Sequence, residues 1–151
     1  NFHPATPKYP GSGSPSWALY EKAHKFGVTV HLMNEKFDNG PILKVYDFNI
    51  DKNENLSSLT LKTKNFSVVV FKDFIKMLND ESLIKIKELK RENQYKWRGD
   101  AKKLCDIDKM RKLDINLSQE EIINRINSFH LEKFPIYFEI ENYKFYYKPK
   151  G

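Results

Sequence analysis

Two β-branched and apolar runs, residues 28–33 and residues 41–50, constrain the fold of this chain more than any other feature. The first run is continuous, and the second alternates apolar and polar side chains in its latter half, so both predict strands. Only the turn-rich segment 34–40 separates them. A connection this short suits an antiparallel pairing of the two strands.

A long helix is predicted after the second strand. Over residues 57–78, apolar side chains recur at steps of three or four residues after one longer gap. Ser57 or Ser58 can serve as its cap. Residues 68–71 alone would suit a strand, but the longer pattern favours a helix.

Two shorter helices are predicted nearer the ends of the chain. Pro15 suits a first helical turn, and Gly27 is expected to end that helix. The Ser-Gln-Glu-Glu pattern beginning at Ser118 is a capping box and predicts a helix to about His130. The inward side of that helix is expected to carry Ile122, Ile123 and Ile126.

The chain closes on a predicted β-hairpin. Apolar and aromatic runs over residues 136–140 and 144–147 flank the turn residues 141–143. No internal repeat and no low-complexity tract interrupts the order of elements.

The intervening segment 79–117 is polar and basic. From Lys85 to Lys112 it carries eleven Lys and Arg against five Asp and Glu, which accounts for the whole net charge of +6. Such a segment is a solvated surface and linker, or it attracts phosphate in a nucleotide or an RNA. Trp97 and Leu104 are its candidates for anchoring to the core.

Composition bounds the class of protein. No run approaches the ~20 apolar residues that cross a bilayer, and no signal peptide is visible, so we expect no membrane association.

Cys105 is the only cysteine, so no internal disulfide or cysteine zinc site can form, which fits a reducing cytoplasm. Its surroundings favour an ordinary thiol over a nucleophile. Because the first residue is Asn1 rather than Met, we interpret the chain as a fragment of a longer protein.

Four polar side chains in the first forty residues could do chemistry. Asn1 and His3 point the same way on an extended segment, so an amide donor and a titratable imidazole would face one site. Asp38, in an Asp-Asn-Gly turn, by itself indicates a turn role, and His31 on a strand indicates packing. Too few His, Cys and acidic residues converge to predict a metal site, and no standard nucleotide-phosphate loop is present.

Three groups of residues within 1–45 follow one another in a specific order and spacing. They are Asn1-Phe2-His3-Pro4 with Pro7-Lys8-Tyr9-Pro10-Gly11 and Trp17-Ala18-Leu19, then Gly27-Val28-Thr29-Val30-His31-Leu32-Met33, and then Phe37-Asp38-Asn39-Gly40-Pro41-Ile42-Leu43. Together these stretches resemble the active-site strand and loops of the folate-dependent formyltransferases. The combination is far more specific than any of its parts.

The resemblance implies a reaction centre and a donor. A substrate amine would attack the formyl carbon of 10-formyltetrahydrofolate, with Asn1 and a protonated His3 stabilising the oxyanion and Asp38 helping to move the amine proton. His31 and Gly11 would support the site. The loop after the first strand would enclose the folate through four residues: Asn34, Glu35, Phe37 and Gly40.

The same resemblance implies an α/β fold. The chain would be the C-terminal part of a doubly wound formyltransferase domain with a small α+β extension ending in the β-hairpin. We therefore divide it into a catalytic half at 1–80, a basic linker at 81–117 and a helix-plus-hairpin region at 118–151. The family's first βα units would precede Asn1, and without them the sheet would expose an unpaired edge.

The acceptor amine is open among several candidates. The short loop after His3 and the aromatic C-terminus resemble a subgroup that modifies amino sugars, so a nucleotide-linked amino sugar is the first prediction. Methionyl-tRNA is the second, and hydrolysis of formyl-folate is the third. A non-catalytic relative that binds folate or a sugar nucleotide is the alternative from a different class. The hairpin could serve as a homodimer interface or a lid, and we expect a cytoplasmic enzyme without a metal.

Overall fold

The computed structural model describes residues 1–78, 82–92 and 94–149 and contains helices and short strands in mixed order. Asn79 and Asp80 of the predicted 1–80 division lie outside the described residues, as do Glu81 and Asn93 of the predicted linker and the last two residues of the predicted 118–151 region. The elements are β1 (Phe2–His3), α1 (Ser14–Tyr20), β2 (Lys25–His31), β3 (Ile42–Asn49), α2 (Leu56–Met77), α3 (Ser82–Glu92), α4 (Leu104–Arg111), β4 (Lys112–Leu113), α5 (Gln119–Phe129), β5 (Tyr137–Ile140) and β6 (Tyr143–Tyr146).

The first sheet has the order β1-β2-β3, and both pairings are antiparallel. The predicted antiparallel pairing of the two long strands is therefore confirmed. His3 pairs with Thr29, and Thr29 pairs with Val45, so these three residues form one row across the sheet. The register between β2 and β3 shifts at Val30 and His31, close to the end of β2 that leads into the loop 34–40.

Gly27 does not end a helix, contrary to the sequence prediction. Helix α1 stops at Tyr20, and β2 has already begun at Lys25. A Cβ at Gly27 would lie 1.9 Å from the backbone oxygen of Tyr46 on β3. The glycine is therefore needed for close approach of two strands rather than for a helix stop.

Helix α2 covers one face of this sheet. Val70 and Phe74 of α2 form a buried cluster with Val28, Val30 and Leu43 of the strands. Residues 68–71 are helical, as the longer pattern predicted. Burial of one helical stripe against the sheet stabilises both elements, because neither can bury its apolar face alone.

The cap of α2 is Asn55 rather than Ser57 or Ser58. The Asn55 side chain accepts a hydrogen bond from the Ser58 backbone N–H at 2.9 Å, and the Ser58 hydroxyl accepts one from the Asn55 N–H at 3.0 Å. This reciprocal pair is a capping box that satisfies two backbone donors. Ser58 therefore contributes as the third helical residue of the box and not as its cap.

The C-terminal part has its own core and sheet. Ile107, Leu113, Phe129 and Ile136 are buried together, and Trp17 of α1 packs against Phe129 with ring centroids 5.0 Å apart. The second sheet has the order β4-β5-β6, in which β4 pairs parallel to β5. The predicted hairpin is confirmed, and the parallel strand β4 was not predicted.

Two details of this part differ from the sequence prediction. Ile123 is 49% exposed, whereas Ile122 and Ile126 pack on the core, so the inward stripe of α5 is narrower than expected. The hairpin turn consists of Glu141 and Asn142, which both have positive φ, and Tyr143 already belongs to β6. Two consecutive positive φ values match the twist of the flanking strands.

Residues 94–102, which we call the strap, lie along the loop that follows β1. The Arg98 N–H donates to the Pro7 oxygen at 2.9 Å, the Lys102 N–H donates to the Pro10 oxygen at 3.0 Å, and the Ser12 N–H donates to the Lys102 oxygen at 2.8 Å. Trp97 of the strap is half-buried, as predicted, but Leu104 is 70% exposed and does not anchor the segment. The strap is thus held by backbone hydrogen bonds more than by apolar packing.

No helix in the part of the chain that the structure describes is both long and apolar enough to cross a membrane.

Replacing Asn55 by Ala should lower the free energy of unfolding by about 1 kcal/mol, because the first turn of α2 loses its side-chain cap. Urea unfolding measures the difference. Ser57→Ala is the matched control, since Ser57 is exposed and takes no part in the capping box. Equal losses in the two variants would contradict the assignment of Asn55 as the cap.

Candidate active site

His3 lies buried at the centre of the candidate site. Strand β1 pairs with β2 and thereby fixes the backbone of His3 opposite Thr29. The His3 Nδ1 atom is 3.1 Å from Asp38 Oδ2, and its Nε2 atom is 2.9 Å from the Tyr9 backbone oxygen. Both ring nitrogens therefore face oxygen acceptors. A doubly protonated imidazolium satisfies both contacts as a donor, with the Asp38 carboxylate balancing its charge.

Asp38 reaches back from the loop 34–40 to the loop that follows β1. One of its oxygens, Oδ2, accepts a hydrogen bond from the Gly11 N–H at 2.8 Å and also faces His3. Its backbone has a φ of 44°, an unusual conformation for a residue other than glycine. The side chain is only 12% exposed. The carboxylate thus links two loops that lie far apart in sequence, which a turn residue would not do.

Gly11 is held from two sides. Its N–H donates to Asp38, and its backbone forms a bridge with Lys102 of the strap. Its φ is 86°, and a Cβ would lie 2.3 Å from the Lys102 backbone oxygen. Only glycine combines this left-handed backbone with such close contact. The structure therefore places Gly11 at the junction of loop, strap and carboxylate.

His31 orients the amide of Asn1. The His31 Nδ1 atom is 2.9 Å from the Leu32 backbone oxygen, so Nδ1 carries the proton in the neutral ring. The Nε2 atom is then an acceptor, and it lies 3.2 Å from the Asn1 Nδ2 amide nitrogen. Burial lowers the pKa of His31, which favours this neutral tautomer. Asn1 consequently directs its amide N–H₂ group inward.

Pairwise contacts connect the four side chains. Asn1 contacts His31, His31 Nε2 lies 3.7 Å from Asp38 Oδ1, and Asp38 contacts His3. The spacing in the sequence suggested a shared site for Asn1 and His3, and the family resemblance added Asp38 and His31. The fold brings all four side chains together. An amide donor, an imidazole and a carboxylate in one place can stabilise an oxyanion and move a proton.

Trp97 is a site residue whose position the sequence did not indicate. Its ring meets the His31 ring edge-on with centroids 5.0 Å apart and the His3 ring at 5.5 Å. Its Nε1–H donates to the Gly40 backbone oxygen at 2.7 Å. The indole therefore forms a wall over both histidines and excludes water from them. A tryptophan in a polar, basic segment is the one signal that could have drawn attention to it.

The four residues predicted to enclose a folate differ in their surroundings. The Asn34 side chain bonds within its own loop, to the Lys36 N–H at 3.0 Å, and Glu35 is exposed. Gly40 is buried, and its oxygen accepts from Trp97. Phe37 is 90% exposed beside Asp38. Of the four, Phe37 has the geometry to stack on a flat ring, and the donor-binding role of the set remains a prediction.

A cavity of about 700 Å³ opens directly on Asp38, and we call it the Asp38 cavity. Its lining comes from the two loops on one side and from the strap and the start of α4 on the other: Gly11, Ser12, Phe37, Asp38, Ala101, Lys102, Lys103, Leu104 and Cys105. Its size falls within the ~300–1,000 Å³ typical of small-molecule sites. Across the described residues, no three His, Cys, Asp or Glu side chains are grouped so as to hold a metal ion.

The pH dependence of stability should report the neutral state of His31. Because burial depresses its folded pKa below the usual 6.5, the stability it contributes is complete above that value and is lost as pH falls through the folded pKa. Urea unfolding at about pH 7.5 and about pH 5 should show a smaller difference for His31→Gln than for the wild type. The exposed His24 supplies the control His24→Gln. An unchanged pH dependence in His31→Gln would contradict the buried neutral ring.

Trp97→Phe should lower the free energy of unfolding by about 1 kcal/mol, because the Gly40 oxygen loses its donor while the aromatic packing largely remains. The exposed neighbour Lys96 provides the control variant Lys96→Ala, which should be close to wild type. Urea unfolding distinguishes the two. A Trp97→Phe variant as stable as the wild type would show that the indole N–H does not fix the strap.

Comparison with protein families gives a match at the residues that build this site. The formyl transferase family model matches residues 1–75, about half of the chain. Among curated proteins, the methionyl-tRNA formyltransferase of Ehrlichia chaffeensis is 27% identical over 136 residues. That alignment covers 89% of this chain and 41% of the relative. The chain thus spans less than half the length of this relative.

Solved structures show the same fold. A sugar N-formyltransferase from a Shewanella species superposes with a TM-score of 0.74 and 20% identity, covering 99% of this chain and 59% of the other. The Helicobacter canadensis N-formyltransferase, determined with folinic acid and dTDP-3-aminofucose, gives a TM-score of 0.67 and 22% identity over 95% of this chain and 51% of the other. The predicted fold class, part of a formyltransferase α/β domain, is therefore confirmed. The chain is a member of the formyltransferase superfamily.

Proposed function

We propose that the protein transfers a formyl group from 10-formyltetrahydrofolate to a substrate amine, with Asn1, His3 and Asp38 as the reacting centre. The observation that carries this proposal is the convergence of an amide, a buried imidazole and a carboxylate beside an open cavity. Membership of the formyltransferase superfamily supports it, because the matched residues include all three side chains.

Each side chain has a role that follows from its contacts. The lone pair of the amine adds to the formyl carbon, and negative charge develops on the formyl oxygen. The inward-facing amide N–H of Asn1 can donate to that oxygen, and a protonated His3 adds positive charge nearby. Asp38 is the carboxylate that opens on the cavity, so it can accept the proton that the amine loses. The tetrahedral intermediate then collapses: the bond between the formyl carbon and the folate nitrogen breaks, that proton passes to the departing tetrahydrofolate nitrogen, and the formamide is left on the acceptor. His31 acts through Asn1 as a positioning residue.

The residues around Asp38 suit a folate-type donor. Phe37 projects into solvent beside the carboxylate and offers an aromatic face to a flat ring. The Helicobacter canadensis relative was determined with folinic acid, which is itself a formylated folate. In this proposal Asn34, Glu35 and Gly40 shape the loop that carries Phe37. Bound folate supplies the activated formyl group, and the chain's own part is to hold it against Asn1.

A nucleotide-linked amino sugar is the acceptor that we favour. Sugar N-formyltransferase structures cover nearly the whole chain, through the terminal hairpin. Methionyl-tRNA is the second candidate, because the Ehrlichia chaffeensis relative also aligns over most of the chain and the segment from Lys85 to Lys112 is basic. The proposal keeps the division at 1–80, 81–117 and 118–151 and a cytoplasmic setting, which the single cysteine suits.

Formyl transfer can be tested by mixing the protein with 10-formyltetrahydrofolate and a panel of amines, and following release of tetrahydrofolate. The panel comprises nucleotide-linked amino sugars, methionyl-tRNA and a control without amine. Asp38→Asn should reduce turnover by about 10²–10⁴-fold, because the proton acceptor is lost while the shape is kept. Asn1→Ala should cost about 10²–10³-fold.

Asp47→Asn is the matched control, since Asp47 is exposed on β3 and its ion-pair partner among the described residues is Lys25. Its turnover should equal that of the wild type. Turnover without any amine would indicate hydrolysis of the donor instead of transfer. Tight folate binding with no turnover under any condition would contradict the catalytic proposal and favour a binding protein.

A further inference from the structure

The Asp38 cavity is lined by positively charged residues as well as by Asp38. These residues are Lys102 and Lys103. Within the described residues, neither ammonium group has a carboxylate at ion-pair distance. The acidic neighbour Asp106 is already engaged, because its Oδ2 accepts from the Lys103 backbone N–H at 2.9 Å and its Oδ1 lies 3.6 Å from Lys109. The Lys102 Nζ atom lies 5.0 Å from the centroid of the Trp17 ring, a contact that leaves its charge without a counter-ion. Both cations therefore lack a carboxylate partner among the described residues.

Backbone hydrogen bonds fix the position of the Lys102 backbone relative to Asp38. Gly11 donates to Asp38, and the adjacent Ser12 donates to the Lys102 oxygen at 2.8 Å. The Lys102 N–H in turn donates to the Pro10 oxygen. The Lys102 backbone is thus two hydrogen bonds away from the carboxylate, and Lys102 lines the same small-molecule-sized cavity as Asp38. A ligand in that cavity would meet both a carboxylate and ammonium groups.

The rest of the lining suits an organic group between these charged groups. Leu104, a large apolar side chain that is 70% exposed, stands at the cavity. Apolar side chains with a few convergent polar groups are the usual composition of a small-molecule site. Ser12 adds a hydroxyl that can donate or accept.

We propose that Lys102 and Lys103 bind the diphosphate of a nucleotide-linked amine acceptor whose amino group lies at Asp38. This inference rests on the proposed formyl transfer and names the part of the acceptor that these two lysines recognise. Ammonium groups bind phosphate oxygens by charge-assisted hydrogen bonds, whereas a carboxylate attracts the amine. The opposed charges would orient the acceptor with its amine towards the formyl donor.

A second basic cleft provides a comparison within the same protein. Lys96 and Arg98 line a cleft of about 370 Å³ on the other part of the strap, together with Lys8 and Asp47. Asp38 is absent from its lining, so a phosphate bound there would not place an amine at the reacting centre. The pair Lys96→Gln and Arg98→Gln therefore removes the same charge from the strap without touching the Asp38 cavity.

Cys105 gives a readout that is independent of turnover. It is the only cysteine of the chain, it is exposed, and it lines the Asp38 cavity. Its alkylation by iodoacetamide can be followed by mass spectrometry with and without uridine diphosphate or thymidine diphosphate. We expect either nucleotide to slow alkylation. The double variant Lys102→Gln, Lys103→Gln should need roughly tenfold more nucleotide for the same protection, and Lys96→Gln, Arg98→Gln should match the wild type.

Three results would overturn the inference. The first is an alkylation rate that nucleoside diphosphates leave unchanged. The second is protection by folinic acid and not by nucleotides, which would assign the cavity to the donor. The third is protection by tRNA alone, which would assign it to an RNA. Failure of the proposed function is distinguishable. Protection that depends on the two lysines, without formyl transfer, would leave the phosphate site standing and remove the reaction. Formyl transfer without protection of Cys105 by nucleotides would support the reaction and remove the phosphate site.

Discussion

The carboxylate of Asp38 is the contact on which the rest of the site depends. Through one oxygen it holds the Gly11 N–H and the His3 ring, and its other oxygen faces His31. These partners belong to the loop after β1, to β1 itself and to β2. A single side chain thereby connects three segments that the antiparallel sheet brings only into proximity. Its low exposure strengthens the contacts to Gly11 and His3, because little water competes for the carboxylate.

The strap adds further contacts to the site that Asp38 connects. Its backbone pairs with the loop after β1, and Trp97 covers the two histidines that face the carboxylate. Lys102 of the same strap lines the Asp38 cavity. One extended segment thus covers the histidines and adds positive charge to the cavity. This explains why a basic stretch without apolar periodicity is ordered against the core.

The sequence predicted the regular elements better than the site. Long apolar runs gave the paired strands and α2, because burial of a face imposes a period that is visible in the chain. The prediction that Gly27 ends a helix was wrong, because the sequence does not distinguish a glycine needed for close strand contact from one that ends a helix. Asp38 alone indicated a turn and Trp97 only an anchor, since their partners lie 27 or more residues away. Proximity of that kind is set by tertiary structure, and only the family resemblance of the combined motif indicated it.

The central claim is that Asp38 and His3 act as one unit in formyl transfer, and a double-mutant cycle tests it most directly. The rate kcat/KM would be measured for the wild type, Asp38→Asn, His3→Gln and the double variant with a single amine acceptor. Groups that act together give strongly non-additive losses. The account predicts that the double variant is about as slow as the slower single variant. Losses that multiply would show two independent residues and would contradict the account.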